Sequence, residues 1–153
     1  MSQVLVDMEY QLVLFGRHLA AVSGRQTRRR SGLLDQSGYV LLSFLKSSGP
    51  LSISELRDVL GLDVSTLNRQ LAALRKAGHV ERAPDPAGGI ALKFHLTAGG
   101  EAALAEEQRV AYEKLELMIS DWPERKRRVF ARLLSEFNRS IETMIASHQG
   151  KDR

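Results

Sequence analysis

Cysteine is absent from these 153 residues. That excludes disulfides, thiolate zinc sites and thiol redox sensors together. No apolar run approaches the roughly 18 residues expected of a membrane span. Near the start, Asp7 and Glu9 stand where a secretory signal would carry basic residues, so no such signal is expected. The chemistry of a catalyst is missing as well. There is no GxSxG nucleophile turn, no glycine-rich phosphate loop and no thiol nucleophile, so the chain reads as a non-enzyme with no cofactor. His18, His79, His95 and His148 are scattered, and none belongs to an HExxH motif, so no metal site is expected. Repeats and low-complexity blocks are lacking too.

What is present is an ordinary soluble composition, 43% hydrophobic and 26% charged, of a length that suits one domain spanning residues 1–153. Such a chain is expected in the cytoplasm. Lysine and arginine number 22 against 18 acidic residues. This modest excess favours polyanionic partners.

The hydrophobic period changes along the chain. Met8, Leu12, Phe15, Leu19 and Val22 recur at helical spacing up to Gly24. A basic connector follows, with Arg28, Arg29 and Arg30. A second helix is expected from Asp35 to Lys46, with Val40, Leu41, Phe44 and Leu45 buried. Ser47-Ser48-Gly49-Pro50 stops it. Two short helices come next. Ser52 or Ser54 starts the first, whose apolar side is Ile53, Leu56, Val59 and Leu60, and Gly61 ends it. Asp63 caps the second, from Val64 to about Ala77. Beyond Gly78, the residues Ile90, Leu92, Phe94 and Leu96 alternate with Ala91, Lys93 and His95. That marks a strand with one buried face, paired with His79–Ala83 across Pro84–Gly89. Thr97 then opens a long helix with Leu104, Ala111, Leu115, Met118 and Trp122 on one stripe. Pro123 precedes a last helix whose wide apolar face includes Phe130, Leu133, Leu134 and Phe137.

The order helix, glycine-containing tight turn, helix, hairpin is that of a helix-turn-helix with a wing. Gly61-Leu62-Asp63 forms the turn, and Leu62 is expected to plug the angle. At 100° per residue, Val64, Leu67, Leu71 and Leu74 share one side of the second helix. Arg69 points away from them, flanked by Ser65, Thr66, Ala73 and Lys76, with Asn68 and Gln70 on the borders. Small alanines allow a close approach to a surface. Arginine pairs bidentately with guanine, and hydroxyls accept several partners, so this face suits the major groove. The bland alternative is a solvated helix face. The preceding turn and the following hairpin count against it.

With those elements placed, the sequence resembles the MarR family of winged-helix regulators. The likeness is carried by Leu51-Ser52-Ile53-Ser54-Glu55-Leu56, by Val64-Ser65-Thr66-Leu67-Asn68-Arg69, by Leu74 through Arg82, and by Leu96-Thr97-Ala98-Gly99-Gly100. The resemblance implies a mainly α fold with a small antiparallel β-hairpin wing. It divides the chain into a DNA-binding lobe at about 35–97 and dimerisation helices at 3–24 and 98–147. It also implies a homodimer on a palindrome-like duplex operator, repression or activation of nearby genes, with a repressor often relieved by a small aromatic or lipophilic effector as the leading expectation, and no membrane partner. One departure stands out. The family's wing commonly carries Asp-x-Arg at its tip, with the arginine in the minor groove. Here Gly88-Gly89-Ile90 occupies that place, and Lys93 is the nearest cation.

The residues assigned to DNA are therefore Ser65, Thr66, Asn68, Arg69 and Lys76 on the second short helix, Arg82 and Lys93 on the hairpin, and Arg28, Arg29 and Arg30 on the connector. The run Arg125–Arg128 reads as solvated, since its helix should serve the dimer. Trp122, Tyr112, Met118 and Phe15 read as core or dimer packing, with a ligand pocket as the sharper alternative. The rival function is a winged-helix protein-interaction module that has lost specific DNA binding. Nonspecific chromosome coating is a third.

Overall fold

The computed structural model describes residues 2–23 and 34–149. The elements run α1 (Gln3–Ser23), α2 (Gln36–Ser48), α3 (Ile53–Leu60), α4 (Val64–Lys76), β1 (Val80–Pro84), β2 (Leu92–Leu96), α5 (Ala98–Met118) and α6 (Glu124–Gln149). Local chemistry sets most of the boundaries. Asp35 caps α2 by accepting from the Gly38 amide at 2.8 Å. Ser52 and Glu55 make a reciprocal capping box at the start of α3, with Ser52 N donating to Glu55 Oε2 at 2.7 Å and Glu55 N to Ser52 Oγ at 3.2 Å. Gly61 closes α3 at φ 63°, a left-handed conformation that a side chain would penalise.

The core lies in the middle of the chain. Leu34, Leu41, Leu42, Leu45, Leu56, Leu67, Leu71, Leu74, Val80, Phe94 and Leu104 are buried together, and Leu62 packs against them from the α3–α4 turn. α2 supplies the floor, packing on α5, β2 and α4, while α3 packs on α4. The hairpin is antiparallel, with Val80 opposite Leu96 and Pro84 opposite Leu92. Leu51 adds a bridge to Phe94 on the other side of β2, so β1 is the free edge.

Several expected faces shift in detail. In α2 the buried set is Gly38, Leu41, Leu42 and Leu45, whereas Val40 is exposed and Phe44 half-buried. Val59 and Val64 are exposed at the helix-turn-helix rim, where the body has already ended. The expected strand alternation holds only at its base. Phe94 is buried and Leu96 half-buried, but Leu92 is exposed and Ile90 lies outside the strand altogether. The hairpin projects past the core, so nothing remains there to cover a side chain. Trp122 is not on α5, which ends at Met118. It sits in the following turn, edge-on to Phe130 with ring centroids 5.4 Å apart and Lys126 Nζ 4.1 Å above its ring.

The base of the hairpin is fastened to the start of α5. Thr97 Oγ1 donates to the Gly78 carbonyl at 2.6 Å, Thr97 N donates to the His79 carbonyl at 3.1 Å, and the Gly100 amide donates to Thr97 Oγ1 at 3.0 Å. Gly100 is required at this contact, because a Cβ there would collide with the His79 carbonyl oxygen.

α1 and α6 behave differently from the rest. Among the described elements, α6 makes no substantial packing contact with another. Its Val129, Phe130, Leu133, Leu134, Met144 and Ile145 are exposed, as are Val4, Leu5, Met8, Leu12 and Phe15 on α1. The side chains of Leu19 and Val22 lie outside the described residues. Among the described residues, no helix is long and apolar enough to cross a membrane.

Candidate nucleic-acid interface

The turn between α3 and α4 delivers α4 to the surface with its leucines inward. Leu67, Leu71 and Leu74 are buried, which leaves Ser65, Asn68, Arg69, Ala72, Ala73, Arg75 and Lys76 exposed. None of Asn68, Arg69, Arg75 and Lys76 shares an ion pair or side-chain hydrogen bond with another described residue. The three cations among them, Arg69, Arg75 and Lys76, are exposed to solvent and to any anion that approaches.

At the start of α4 the hydroxyls are held in place. Asp63 Oδ1 accepts from Ser65 Oγ at 2.5 Å and from the Thr66 amide at 2.8 Å, while Oδ2 accepts from Thr66 Oγ1 at 2.7 Å. The Ser65 hydroxyl first, then the Thr66 amide and hydroxyl, hold the Asp63 carboxyl well below the usual carboxylate range. An ionised carboxylate only accepts, so both hydroxyl protons point at Asp63 and the oxygens present lone pairs outward. As placed, Ser65 and Thr66 are acceptors, suited to the amino groups of cytosine or adenine.

Between the second half of α4 and the free edge of β1 runs an open cleft of about 560 Å³, lined by Ala72, Arg75, Lys76, Val80, Glu81 and Arg82. Three cations meet one carboxylate there. The Arg82 guanidinium lies 5.6 Å from the Phe94 ring centroid, a cation–π contact that steers it across the sheet. Sequence reasoning found Lys76 and Arg82 but missed Arg75. On the helix projection Arg75 sits near the apolar border, and only the return of β1 alongside α4 turns that border into a basic wall.

Lys93 requires a correction. It is not a free cation for DNA. Its Nζ lies 3.1 Å from Asp85 Oδ2 and 3.5 Å from Glu55 Oε1, and its side chain is only 19% exposed. The Asp85 contact raises the Lys93 ammonium pKa above its ordinary value. The Asp85 carboxyl is lowered, chiefly by the Ala87 amide and then by Lys93. Glu55 is lowered, chiefly by its Ser52 cap. Lys93 thus ties the wing to α3. Arg28, Arg29 and Arg30 lie outside the described residues. Lys126, Arg127 and Arg128 of the second basic run are engaged within the chain. Arg127 pairs with Glu116 at 3.0 Å and donates to the Trp122 carbonyl at 2.9 Å, and Arg128 pairs with Glu124 at 2.8 Å.

A helix-turn-helix with an open basic face, a hairpin beside it and long flanking helices is now in place, and comparison with known proteins agrees with it. The MarR family model matches residues 31–89. An uncharacterised HTH-type transcriptional regulator of Bacillus subtilis (strain 168), YxaD, is 35% identical over 134 residues, covering 88% of this chain and 92% of its own length.

The chain belongs to the MarR family.

Solved structures show the same fold. A MarR family protein from Bacillus stearothermophilus superposes with a TM-score of 0.72 at 19% identity, over 93% of this chain and 99% of its own. RV1404 from Mycobacterium tuberculosis gives 0.71 at 18% identity, over 92% and 95%. As a MarR protein this chain is a DNA-binding transcription regulator of winged-helix fold and not an enzyme.

Proposed function

We propose that this MarR protein is a sequence-specific repressor that acts as a homodimer on a palindrome-like operator and is released by a small aromatic or lipophilic effector. The observation that carries the reading is the outward face of α4, where Arg69 and Lys76 stand exposed without ion-pair partners among the described residues, beside exposed Asn68 and the hydroxyls of Ser65 and Thr66. α4 enters the major groove, and Arg69 reads a base edge there. The wing lies over the adjacent minor groove. One sugar-phosphate strand must then pass between them, across the cleft of Arg75, Lys76 and Arg82. We assign those three to phosphate contacts, which position the protein and set its salt dependence. Arg28, Arg29 and Arg30 are assigned the same role. The protein works in the cytoplasm, alongside its DNA.

The dimer is supported by the uncovered apolar faces of α1 and α6. A two-fold axis through those helices repeats the α4 surface, as two half-sites about one helical turn apart require. Tyr112, Leu115 and Met118 on α5 are exposed, and we assign to this apolar surface an effector that favours another spacing of the lobes.

Selection of binding sites from random duplex DNA by the purified protein tests the proposal. Recovery of a two-fold symmetric motif by a dimer is expected. Failure to enrich any motif would refute specific recognition. One feature favours the second reading, a protein-interaction module: the wing tip carries no cation. A salt titration separates the two, because a regulator loses DNA affinity steeply as salt rises and a module binds little DNA at any salt.

A further inference from the structure

The wing tip is uncharged from Pro86 to Ala91, yet it is held in place. Asp85 organises it. Its Oδ1 accepts from the Ala87 amide at 2.9 Å, its carbonyl accepts from the Gly88 amide at 2.9 Å, and its Oδ2 meets Lys93 Nζ at 3.1 Å. Lys93 reaches on to Glu55, which is itself locked into the cap of α3. The tip is therefore anchored through side chains to the helix-turn-helix.

On this anchored loop one large side chain projects. Ile90 is exposed to 104% of its reference area, the extreme among the exposed large hydrophobic residues, and it sits between Gly89 and Ala91. Its neighbour shows that the arrangement is constrained. A Cβ at Gly89 would lie 2.8 Å from Asp85 Oδ2, so a side chain there would displace the carboxylate that holds Lys93. Bulk at 90 meets nothing, whereas bulk at 89 must push the Asp85 carboxylate aside. A single exposed isoleucine on a protein surface is commonplace. This one is set apart by its place, at the end of a hairpin tied to the recognition machinery.

We propose that Ile90 is the wing's DNA contact: an apolar wedge seated in the minor groove against the deoxyribose walls, in place of a cation. This rests on the DNA-binding reading above. The chemistry suits the site. Minor-groove walls present sugar C–H surface, and proteins that bind there insert apolar side chains such as isoleucine. The pre-fastened loop loses little freedom on binding, which favours a contact made by one side chain. An apolar wedge displaces no counterions, so the wing adds affinity without adding salt dependence.

The test uses full-length wild type, Ile90→Ser and Ile90→Arg on the duplex selected by the wild type. Affinity is measured across a potassium chloride series, with hydroxyl-radical footprinting of the sugars. Ile90 touches no core residue, so thermal melting of Ile90→Ser should match wild type and exclude misfolding. Ile90→Ser should weaken binding roughly tenfold at every salt concentration, as expected for re-exposing an apolar side chain. It should leave the slope of log affinity against log salt unchanged. Protection of the minor-groove sugars flanking each half-site should disappear, while protection around the α4 sites remains. Ile90→Arg should steepen the slope by about one unit. If Ile90→Ser binds within twofold of wild type with its flanking protection intact, the wedge is wrong while the DNA-binding reading stands. If wild type itself selects no duplex, both fail.

Discussion

The middle of this chain and its ends treat hydrophobic residues in opposite ways. In the lobe built from α2, α3, α4 and the hairpin, Leu41, Leu42, Leu56, Leu67 and Leu71 bury almost all of their surface within one chain. Along α6, Leu133, Leu134 and Phe130 follow an equally regular stripe and remain open to water. The lobe closes its core within one chain, with Leu104 of α5 completing it. The terminal helices carry an apolar face that only another surface can cover. Folding and the proposed dimerisation thus fall to different segments.

Breaking the second half of that contrast should have the largest effect. Leu133→Glu combined with Leu134→Glu places two carboxylates on the α6 stripe without touching the lobe. Sedimentation should show a monomer, and operator affinity should fall roughly a hundredfold or more as the coupling of two half-sites is lost. A variant that still sediments as a dimer would remove α6 from the interface. Striking the lobe instead, Leu67→Ala leaves a cavity beneath α4. Chemical denaturation should record a loss of about 2–5 kcal/mol. A loss under 1 kcal/mol would mean that the core beneath α4 is not closely packed.

A third change leaves both regions folded and removes only the contact with DNA. Arg69→Ala should weaken specific binding by about 1–3 kcal/mol and relax base choice at one position of each half-site. Equal operator binding by wild type and this variant would end the base-reading role of Arg69. The smallest effect concerns acid. Asp63, Glu55 and Asp85 all have lowered carboxyl pKa values. The folded lobe therefore favours their ionised forms. That contribution is complete above the ordinary carboxylate range and declines as pH falls from about 5 toward 2. These residues all sit in the lobe, so Asp63→Asn should flatten the acid limb of a melting-temperature profile while leaving the pH at which dimers dissociate unchanged. An unaltered acid limb would show that Asp63 adds nothing through its charge.

Which features could be read from sequence follows the range of the interaction. Asp63, Thr97 and Gly61 were assignable because a cap depends on neighbours three or four residues away. The leucine stripe of α4 was assignable for the same reason. Ile90, Val64 and Val59 were misplaced because periodicity names a face but not where the body beneath it stops. Lys93 escaped because its partners, Asp85 across the hairpin turn and Glu55 on α3, meet it only once the chain is folded. Arg75 escaped because its significance depends on β1 folding back beside α4. Trp122 followed a stripe whose helix had already ended.

The seam at Gly78, His79, Thr97 and Gly100 leaves no slack between hairpin and long helix. Such a joint transmits rotation and does not absorb it. α5 extends about 30 Å at 1.5 Å per residue, so a tilt of about 5° at one end sweeps the other through roughly 2–3 Å. In the proposed symmetric dimer the two sweeps would add. Operator choice would then be controlled by small angular changes far from any base, with a glycine's missing methyl group as the hinge pin that keeps the lever stiff.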